Sequence, residues 1–406
     1  MEERELKAMT DEDELKNNAK IKVIGVGGGG SNAVNQMIHD KEGQVEYWVF
    51  NTDNQALSNS PCPNKLVLGR NVTKGLGAGG NPEMGRKAAE DSYEDIKLVV
   101  KGSDMVFIAV GEGGGTGTGA APVVARASRE EGCLVLAIVT RPFNFEGRLR
   151  KLNALEGINE LVKNVDALIV VSNDRLMFSS GNESIKNAFA TSDRTLADSV
   201  NTVTDLILVH GIINLDFADV KSTLQGKGLS LIGIGSGSGP NKAVDAATNA
   251  INSPLLEASI KGSHSMIINV TVAEDVTLDD VQHAIDYITE AAGANQDNDV
   301  NIIFGVQMDS SFADSMKIAI IATDFAKDVE LNSSPALTRR STPTEEKALA
   351  PTPAYQKPIE TGKSRVEREI QEEKQDSVLP DYLRTLLQRN EEKTSEGEKQ
   401  EEEEEK

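Results

Sequence analysis

The sequence predicts an α/β fold in which a Rossmann-like parallel-sheet domain is joined by a long central helix to a smaller α/β domain, with a disordered C-terminal tail. Three observations support this prediction. Short apolar runs alternate with helical patterns in the first half of the chain, one long amphipathic pattern follows, and the composition turns polar beyond Leu331. Continuous apolar strands separated by helices are typical of a parallel sheet covered on both faces.

Six strands are predicted in the first domain, at 20–26, 45–50, 65–68, 104–110, 134–140 and 166–172. One helix between them has a clear beginning. Asn81 is a favourable N-cap, Pro82 suits the first helical position, and Glu83 adds an acid to the first turn. We expect this helix to run to about Val100.

The central helix is predicted over 184–208, because apolar side chains recur there at spacings of three, four and seven residues. They are Ile185, Phe189, Leu196, Val200, Val203 and Ile207. The second domain is predicted to contain strands near 229–234, 265–272, 300–308 and 317–323, with helices near 240–252 and 277–292.

These patterns divide the chain into seven segments. They are a disordered extension 1–19, a first domain 20–183, the central helix and following loop 184–219, a second domain 220–331, a disordered linker 332–376, a short peptide 377–390, and an acidic tail 391–406. The linker prediction rests on a Pro-, Thr-, Lys- and Glu-rich composition without a sustained apolar period.

Charge and cysteine content restrict the function classes. The chain has 42 basic and 64 acidic residues, a formal charge of −22, which disfavours binding to nucleic acids. Cys62 and Cys133 have no metal-ligand spacing around them, so neither zinc nor a disulfide framework is indicated, and a reducing cytoplasm fits best. No basic region followed by an apolar stretch begins the chain, and no apolar run approaches the roughly 20 residues of a membrane helix. We therefore expect a soluble protein that is not exported.

A glycine-rich turn, Gly25 to Gly30, follows the first strand and leads through Ser31 and Asn32 into a helix. Glycines allow backbone amides to approach a phosphate closely, and a helix N-terminus adds partial positive charge. The turn also matches the dinucleotide fingerprint, with Asp53 after the next strand as a candidate ribose contact. A tight turn without a ligand is the alternative.

A second glycine run, Gly113 to Gly119, follows the strand at 104–110 and opens another helix. Two amide-rich loops at one sheet edge favour a polyphosphate, which would also gain from the hydroxyls of Thr116 and Thr118. The Walker pattern of P-loop proteins does not occur in the sequence. A nucleoside triphosphate is therefore a better candidate ligand than NAD.

The chain resembles the bacterial tubulin-like GTPases of the FtsZ cell-division family over nearly all of residues 20–331. The resemblance rests on the run Gly113 to Gly119 and on four further motifs: Asn51-Thr52-Asp53, Gly77 to Pro82, Thr140 to Arg148, and Asn214 to Asp219. It implies a cytoplasmic protein that binds GTP with Mg²⁺, without a fixed protein metal site, and polymerises head to tail into a ring at mid-cell.

The resemblance also implies which residues bind the nucleotide. Glycine-loop and helix residues would hold the phosphates, Glu146 would contact the ribose and Arg150 would face the phosphates. For Glu146 and Arg150 a surface ion pair is the alternative. The predicted loop residues are Gly28, Gly29, Gly30, Ser31, Asn32, Ala78, Gly79, Gly115, Thr116, Gly117 and Thr118.

Asp193 occupies a step of the apolar stripe of the central helix, four residues after Phe189. An inward carboxylate needs donors, and guanine offers N1–H and an amino group side by side, whereas adenine has an acceptor at N1. This predicts a preference for GTP. The family places its guanine contact at the same position, and Phe189 resembles the ring that stacks on the base; ordinary core packing is the alternative for Phe189.

Asp216 and Asp219 precede the second domain, and by themselves they fit a loop with a helix cap. The resemblance implies a different role. In the family this loop, with Asn214, is the synergy loop, which completes the nucleotide site of the next subunit by polarising the attacking water and helping to hold a cation.

Residues 377–390 resemble the family's C-terminal peptide, which docks on membrane-tethering and regulatory division proteins. The implied contacts are Leu379, Pro380, Tyr382 and Leu383. An accidental helical segment in a disordered tail is the alternative.

Two departures from the family pattern stand out. Glu112 replaces a typical methionine before the signature glycines, and Leu149 interrupts a basic run before Arg150. An acid beside the phosphates would weaken GTP binding or alter metal dependence. Two alternative functions remain open: an NAD-dependent oxidoreductase, which leaves the second glycine loop unexplained, and a filament protein that binds GTP without hydrolysing it.

Overall fold

A computed structural model describes residues 19–40, 44–180, 184–209, 211–274, 276–293, 300–309, 312 and 314–325. The side chains of 178–180 are not described. The predicted N-terminal extension up to residue 18, the linker 332–376, the peptide 377–390 and the acidic tail 391–406 lie outside these ranges.

The described chain forms ten strands. They are β1 Ile21–Val26, β2 Val45–Asn51, β3 Asn64–Val67, β4 Met105–Gly111, β5 Leu134–Arg141, β6 Ala167–Ser172, β7 Gly228–Ser238, β8 Ser263–Val272, β9 Asn301–Met308 and β10 Ser315–Phe325. All ten agree with the predicted strands to within a few residues.

Twelve α-helices lie in the same described ranges. They are α1 Gly27–Met37, α2 Asn54–Asn59, α3 Arg70–Thr73, α4 Pro82–Asp91, α5 Tyr93–Val100, α6 Thr116–Glu130, α7 Arg148–Leu161, α8 Asn173–Ser180, α9 Ile185–Leu208, α10 Phe217–Leu224, α11 Lys242–Ile251 and α12 Leu278–Ala292.

The first six strands form a parallel sheet in the order β3-β2-β1-β4-β5-β6. After β1 the chain builds outward to one side, and from β4 onward it builds to the other. The strand order therefore reverses between β1 and β4. In open α/β sheets such a switch point leaves a crevice at the carboxyl ends of the strands, where ligands bind.

Both faces of this sheet are covered by apolar side chains, as the uninterrupted apolar strands predict. On one face α1, α9 and α10 pack together, with Val34, Val200 and Leu224 fully buried. On the other face α4, α5, α6 and α7 form a second core that includes Ile96 and Ile158. Burying several such side chains, at about 1.5–3 kcal/mol each, gives the sheet a stable frame for its loops.

The second domain continues the same sheet rather than forming a separate one. The beginning of β7 pairs parallel with β6, at Ala167–Gly228, Leu168–Leu229 and Ile169–Ser230. The remainder of β7 pairs antiparallel with β10, and the sheet continues through β8 to β9. The complete ten-stranded order is β3-β2-β1-β4-β5-β6-β7-β10-β8-β9. A third core, under α11 and α12, covers this part of the sheet.

Two predictions about helices need correction. The helix expected from Asn81 to Val100 breaks at Ser92, which has φ −106° and ψ 19° and separates α4 from α5. The buried Ser92 hydroxyl accepts a hydrogen bond of 2.9 Å from the Gly69 amide, so a tertiary contact stabilises the break. In α9, moreover, Ile185 is 68% exposed and Phe189 is 38% exposed, because only the later part of the predicted stripe faces the core.

Candidate active site

The two glycine loops meet at the switch point of the sheet. Val26 at the end of β1 lies beside Val110 of β4, so α1 and α6 begin next to each other. The loops also touch, because a Cβ placed on Gly27 would come within 2.7 Å of the Gly117 amide nitrogen. The sequence prediction that both loops serve one site therefore agrees with their placement.

Individual glycines in these loops have different functions. A Cβ on Gly30 would lie 2.1 Å from the Ala109 carbonyl oxygen, and one on Gly29 would lie 3.1 Å from Gly111 Cα, so packing against β4 requires small residues. A Cβ on Gly28 or Gly114 would meet nothing within 4 Å. The open side at these two positions is where a ligand can approach the backbone.

A third loop joins the first two. Gly79 and Gly80 have φ of +59° and +73°, in the left-handed region that favours glycine. A Cβ on Gly115 would lie 2.7 Å from the Asn81 amide nitrogen and 3.0 Å from Ala78 Cβ, so this loop packs on the second glycine loop. Ala78 and Gly79 thus belong to the predicted cluster.

The hydroxyl groups of the cluster are engaged within the protein. Ser31 donates a hydrogen bond of 2.6 Å to the Gly27 carbonyl, and Thr118, which is buried, accepts one of 2.9 Å from the Gly113 amide. Thr116 shares a hydrogen bond of 2.6 Å with Thr52 at the end of β2. Thr52 was absent from the predicted site residues, although the Asn51-Thr52-Asp53 motif contained the signal.

Asp193 lies beside the first glycine loop. Its carboxylate accepts a hydrogen bond of 3.2 Å from the side-chain amide of Asn32 on α1. Burial disfavours the charged form and raises the pKa of Asp193 to about 6, and the Asn32 hydrogen bond opposes this shift. A half-buried carboxylate with so little compensation is suited to receive donors from a ligand.

Three aromatic rings form a cluster that includes Phe189, one turn before Asp193 on α9. Phe143 and Phe145 stack with centroids 5.0 Å apart, and Phe189 meets Phe143 edge to face at 5.2 Å. Phe143 is fully buried, whereas Phe145 is 56% exposed. Phe189 is therefore not an ordinary core residue, and Phe145 is a further exposed aromatic face that the sequence analysis did not single out.

Glu146 lies just before α7, and its carboxylate forms an ion pair of 2.5 Å with Arg150 in the first turn of that helix. The other carboxylate oxygen of Glu146 accepts a hydrogen bond of 2.9 Å from the Phe143 amide. This ion pair was the alternative interpretation of the two residues. The guanidinium remains largely exposed, so the predicted ribose and phosphate contacts remain predictions.

Glu112 is enclosed between α6 and α7. It is 5% exposed, and neither carboxylate oxygen has a hydrogen-bond partner among the described residues. Burial raises its pKa to about 7, while the nearby polar groups of Thr118 and Gly113 offset part of the effect. A Cβ on Gly157 would lie 2.5 Å from this carboxylate, so the acid is packed against α7. The carboxylate therefore lies in the interior and not on the open surface of the second glycine loop.

The loop after α9 lies far from these residues. Asp216 caps α10 by accepting a hydrogen bond of 2.8 Å from the Asp219 amide, as the cap interpretation predicted. Asn214 accepts one of 2.7 Å from the Gly211 amide. Leu208 ends α9 fifteen residues after Asp193, which at 1.5 Å per residue is roughly 22 Å along the helix axis. One molecule therefore does not bring this loop to its own Asp193.

The described residues contain neither a candidate metal cluster nor a candidate membrane-spanning helix. Over the described residues, no group of three or more His, Cys, Asp or Glu side chains is placed to hold a metal ion. No helix in the described ranges is both long and apolar enough to cross a membrane. The predicted peptide contacts Leu379, Pro380, Tyr382 and Leu383 lie outside the described residues.

Two family models match the chain. The model for the GTPase domain of the Tubulin/FtsZ family matches residues 20–181, and that for the C-terminal domain of the FtsZ family matches residues 228–326. Together the two matched ranges include the three glycine-containing loops and strands β7 to β10 of the second domain.

Solved structures are similar over most of the chain. A structure described as an empty FtsZ dimer from M. jannaschii is 36% identical, with 83% of this chain and 97% of that chain covered and a TM-score of 0.73. A mutant of FtsZ from M. jannaschii is 37% identical, with 79% and 95% covered and a TM-score of 0.73. CetZ2 from Haloferax volcanii, in a GTPγS-bound protofilament, shares the fold at 20% identity, with 76% and 94% covered and a TM-score of 0.63.

The switch-point loops, the long helix α9 and the second domain together define a tubulin-like, GTP-binding cytoskeletal GTPase. Within that class, the chain belongs to the FtsZ family, whose members act in cell division. An NAD-dependent oxidoreductase is thereby excluded.

Proposed function

We propose that this protein hydrolyses GTP as a head-to-tail filament, in which the nucleotide site of one subunit is completed by the loop Gly211–Asp219 of the next. The filaments form the cytokinetic ring at the division site. The observation that carries the proposal is the separation of roughly 22 Å along α9 between Asp193 and the end of the helix. If the acids of the loop act on GTP, that GTP is bound by another subunit.

On the nucleotide side, the backbone amides of the loops around Gly28, Gly79 and Gly115 bind the phosphates. Such amides, placed at the beginnings of α1 and α6, stabilise anionic oxygens without needing a charged side chain. Asp193 accepts from the guanine N1–H and amino group, and the exposed rings of Phe145 and Phe189 offer apolar faces to the base.

Glu146 and Arg150 are proposed to separate when nucleotide binds. A carboxylate accepts from ribose hydroxyls and a guanidinium donates to phosphate oxygens, so each group gains a charged hydrogen bond for the one that it loses. The Arg150 side chain is 57% exposed, so its guanidinium can turn toward a phosphate, whereas the Glu146 side chain is only 9% exposed and needs the ribose donors in exchange.

The donor set also fits Mg²⁺. This ion retains several waters and binds through substrate phosphates with one or two carboxylates, which requires no cage of protein ligands. Asp216 and Asp219 of the neighbouring subunit are the proposed carboxylates, and the ion would neutralise charge developing on the transferred phosphoryl group. Asp219 orients the attacking water, and Asn214 holds the beginning of the loop through its bond to the Gly211 amide.

Self-association has support in the similar structures, one of which is described as a dimer and another as a protofilament. We propose that partner proteins that tether the filament to the membrane bind the peptide 377–390. Domain 20–183 binds GTP, and domain 220–331 presents the loop Gly211–Asp219 to the neighbouring subunit.

The experiment that tests the shared site measures phosphate release per molecule against protein concentration. Because subunits must meet before water is positioned, the specific activity should fall steeply on dilution below the assembly threshold. Specific activity that is constant down to well below that threshold would contradict the proposal. Assembly with GTP but without phosphate release would instead support the non-hydrolysing filament.

A further inference from the structure

The beginning of the loop Gly211–Asp219 forms hydrogen bonds with β9, the last strand in the order of the sheet. Ile212 and Ile213 both donate backbone hydrogen bonds to the Val306 carbonyl, at 2.8 and 3.2 Å, and the Val306 amide donates to Ile213 at 3.0 Å. A Cβ on Gly211 would lie 2.2 Å from the same carbonyl oxygen. The loop therefore leaves α9 directly onto the free edge of β9.

The neighbouring residue of β9, Gln307, caps the end of α9. Its side-chain Nε2 donates a hydrogen bond of 2.9 Å to the Asp205 carbonyl, which also accepts from the Val209 amide at 3.0 Å. Its Oε1 accepts from Asn269 of β8 at 3.4 Å. Gln307 is only 8% exposed, so its side-chain amide forms hydrogen bonds within the protein and is not available to a nucleotide.

The far end of the loop is also held by the second domain. The hydroxyl of Thr323 on β10 donates to the Thr223 carbonyl of α10 at 3.2 Å, in a buried contact. Val220 and Leu224, on the same short helix, are fully buried. Both ends of the loop are thus tied to strands β9 and β10.

We infer that Gln307 is a positioning residue for GTP hydrolysis, which sets where the loop Gly211–Asp219 meets the nucleotide of the next subunit. The inference rests on the proposed function. Without the Gln307 donor, the last turn of α9 loses its side-chain bond, and the Asn269 amide loses its acceptor in a buried site. The end of α9 then has one tertiary hydrogen bond fewer and is held to the second domain mainly by the backbone bonds to Val306. A small shift suffices for an effect, because catalytic groups lose rate when displaced by as little as about 1 Å.

The first test replaces Gln307 by methionine, which has similar length but neither the donor nor the acceptor. We expect GTP affinity and the amount of pelleted polymer to change less than about twofold, while phosphate release per pelleted subunit falls about tenfold or more. Asn269→Ala, which removes only the longer hydrogen bond, should show a smaller loss in the same direction. Met308→Leu, on the next and half-exposed residue of β9, is the matched control and should behave like the parent.

A mixing experiment separates positioning from general damage. Gln307→Met has an intact nucleotide site and a displaced loop, so mixing it with Asp193→Ala, at a GTP concentration too low to fill the Asp193→Ala site, should restore activity. Mixing it with Asp219→Ala should not, because both variants then lack a competent loop. Asp219→Ala mixed with Asp193→Ala serves as the reference pair.

The outcomes distinguish a failure of the Gln307 role from a failure of the shared site. If the reference pair regains activity but the Gln307→Met pair does not, or if Gln307→Met alone hydrolyses GTP at the parent rate, the inference is overturned while the shared site stands. If the reference pair stays inactive, the shared site itself fails and the inference with it. Circular dichroism of each variant confirms folding, and Asn269→Ala carries the test if Gln307→Met does not fold.

Discussion

The side-chain amide of Asn32 donates a hydrogen bond of 3.2 Å to the carboxylate of Asp193, which joins the helix after the first glycine loop to the central helix. The two elements that are proposed to bind the phosphates and the base, α1 and α9, are therefore in direct contact. A change in the charge of Asp193 would therefore alter a hydrogen bond to α1.

Asp193→Ala should weaken GTP binding and reduce discrimination against ATP, because alanine offers guanine no acceptor. A lost hydrogen bond to a charged group costs about 1.5–3 kcal/mol, which corresponds to roughly a 10- to 150-fold loss of affinity. Calorimetric titration with GTP and with ATP measures both effects. Asp198→Ala, at an exposed position of the same helix, is the control; equal affinities for parent and Asp193→Ala would refute the base contact.

Glu112→Gln should stabilise the protein more at pH 8 than at pH 5. The folded-state pKa of Glu112 is raised from 4.5 to about 7, so the folded protein binds this proton more tightly than the unfolded chain does. Stability therefore declines as pH rises from 4.5 to about 7, by up to about 3 kcal/mol, and stays low above it.

Glutamine does not titrate, so this decline should be missing from the variant. Denaturant unfolding of the parent and of Glu112→Gln at several pH values measures it. Parallel stability curves for the two proteins between pH 5 and 8 would show that Glu112 remains charged in the folded state.

Gly28→Ala and Gly30→Ala form a matched pair in one loop. The added methyl group at Gly30 would lie 2.1 Å from the Ala109 carbonyl oxygen, so this variant should unfold at a markedly lower temperature. The methyl group at Gly28 meets no protein atom within 4 Å and should leave the melting temperature nearly unchanged, yet obstruct phosphate and weaken GTP binding. Thermal unfolding and nucleotide titration check both, and normal GTP affinity of Gly28→Ala would remove that residue from the site.

Deletion of residues 377–406 should leave GTP hydrolysis close to the parent rate, while binding to a membrane-tethered division protein is lost. The reason is that a docking peptide beyond a long linker makes no contact that the hydrolytic site needs. Phosphate release and localisation of the truncated protein in cells measure the two effects. Normal ring formation by the truncated protein would count against the docking role.

Much of the fold could be predicted because its strands are apolar throughout and its glycine loops follow directly after them. The break at Ser92 could not, since the hydroxyl's partner, the Gly69 amide, lies 23 residues away in the chain. Periodicity also overstated the apolar stripe of α9, where Phe189 is partly exposed beside two other rings. A spacing pattern predicts which face of a helix is apolar, but not where along the helix that face stops being buried against the core.

Parts of the candidate site were also beyond the sequence. The hydroxyl of Thr118 has the residue type of a phosphate contact, yet it accepts from the Gly113 amide within its own loop. Gln307 belongs to no motif, and its contact with Asp205 depends on the packing of β9 against α9. Contacts of this kind can be identified only from the three-dimensional packing of the strands and helices.

If each nucleotide site is completed by the next subunit, as we propose, the two ends of a filament are chemically different. A row of n subunits that share sites in this way contains n − 1 complete sites. At one end the last subunit displays a nucleotide that no loop covers, and at the other end the last subunit displays a loop with no nucleotide to act on. In the proposed filament GTP would survive longest at a single end, so an unbranched filament of identical molecules would have a built-in direction and age from its interior.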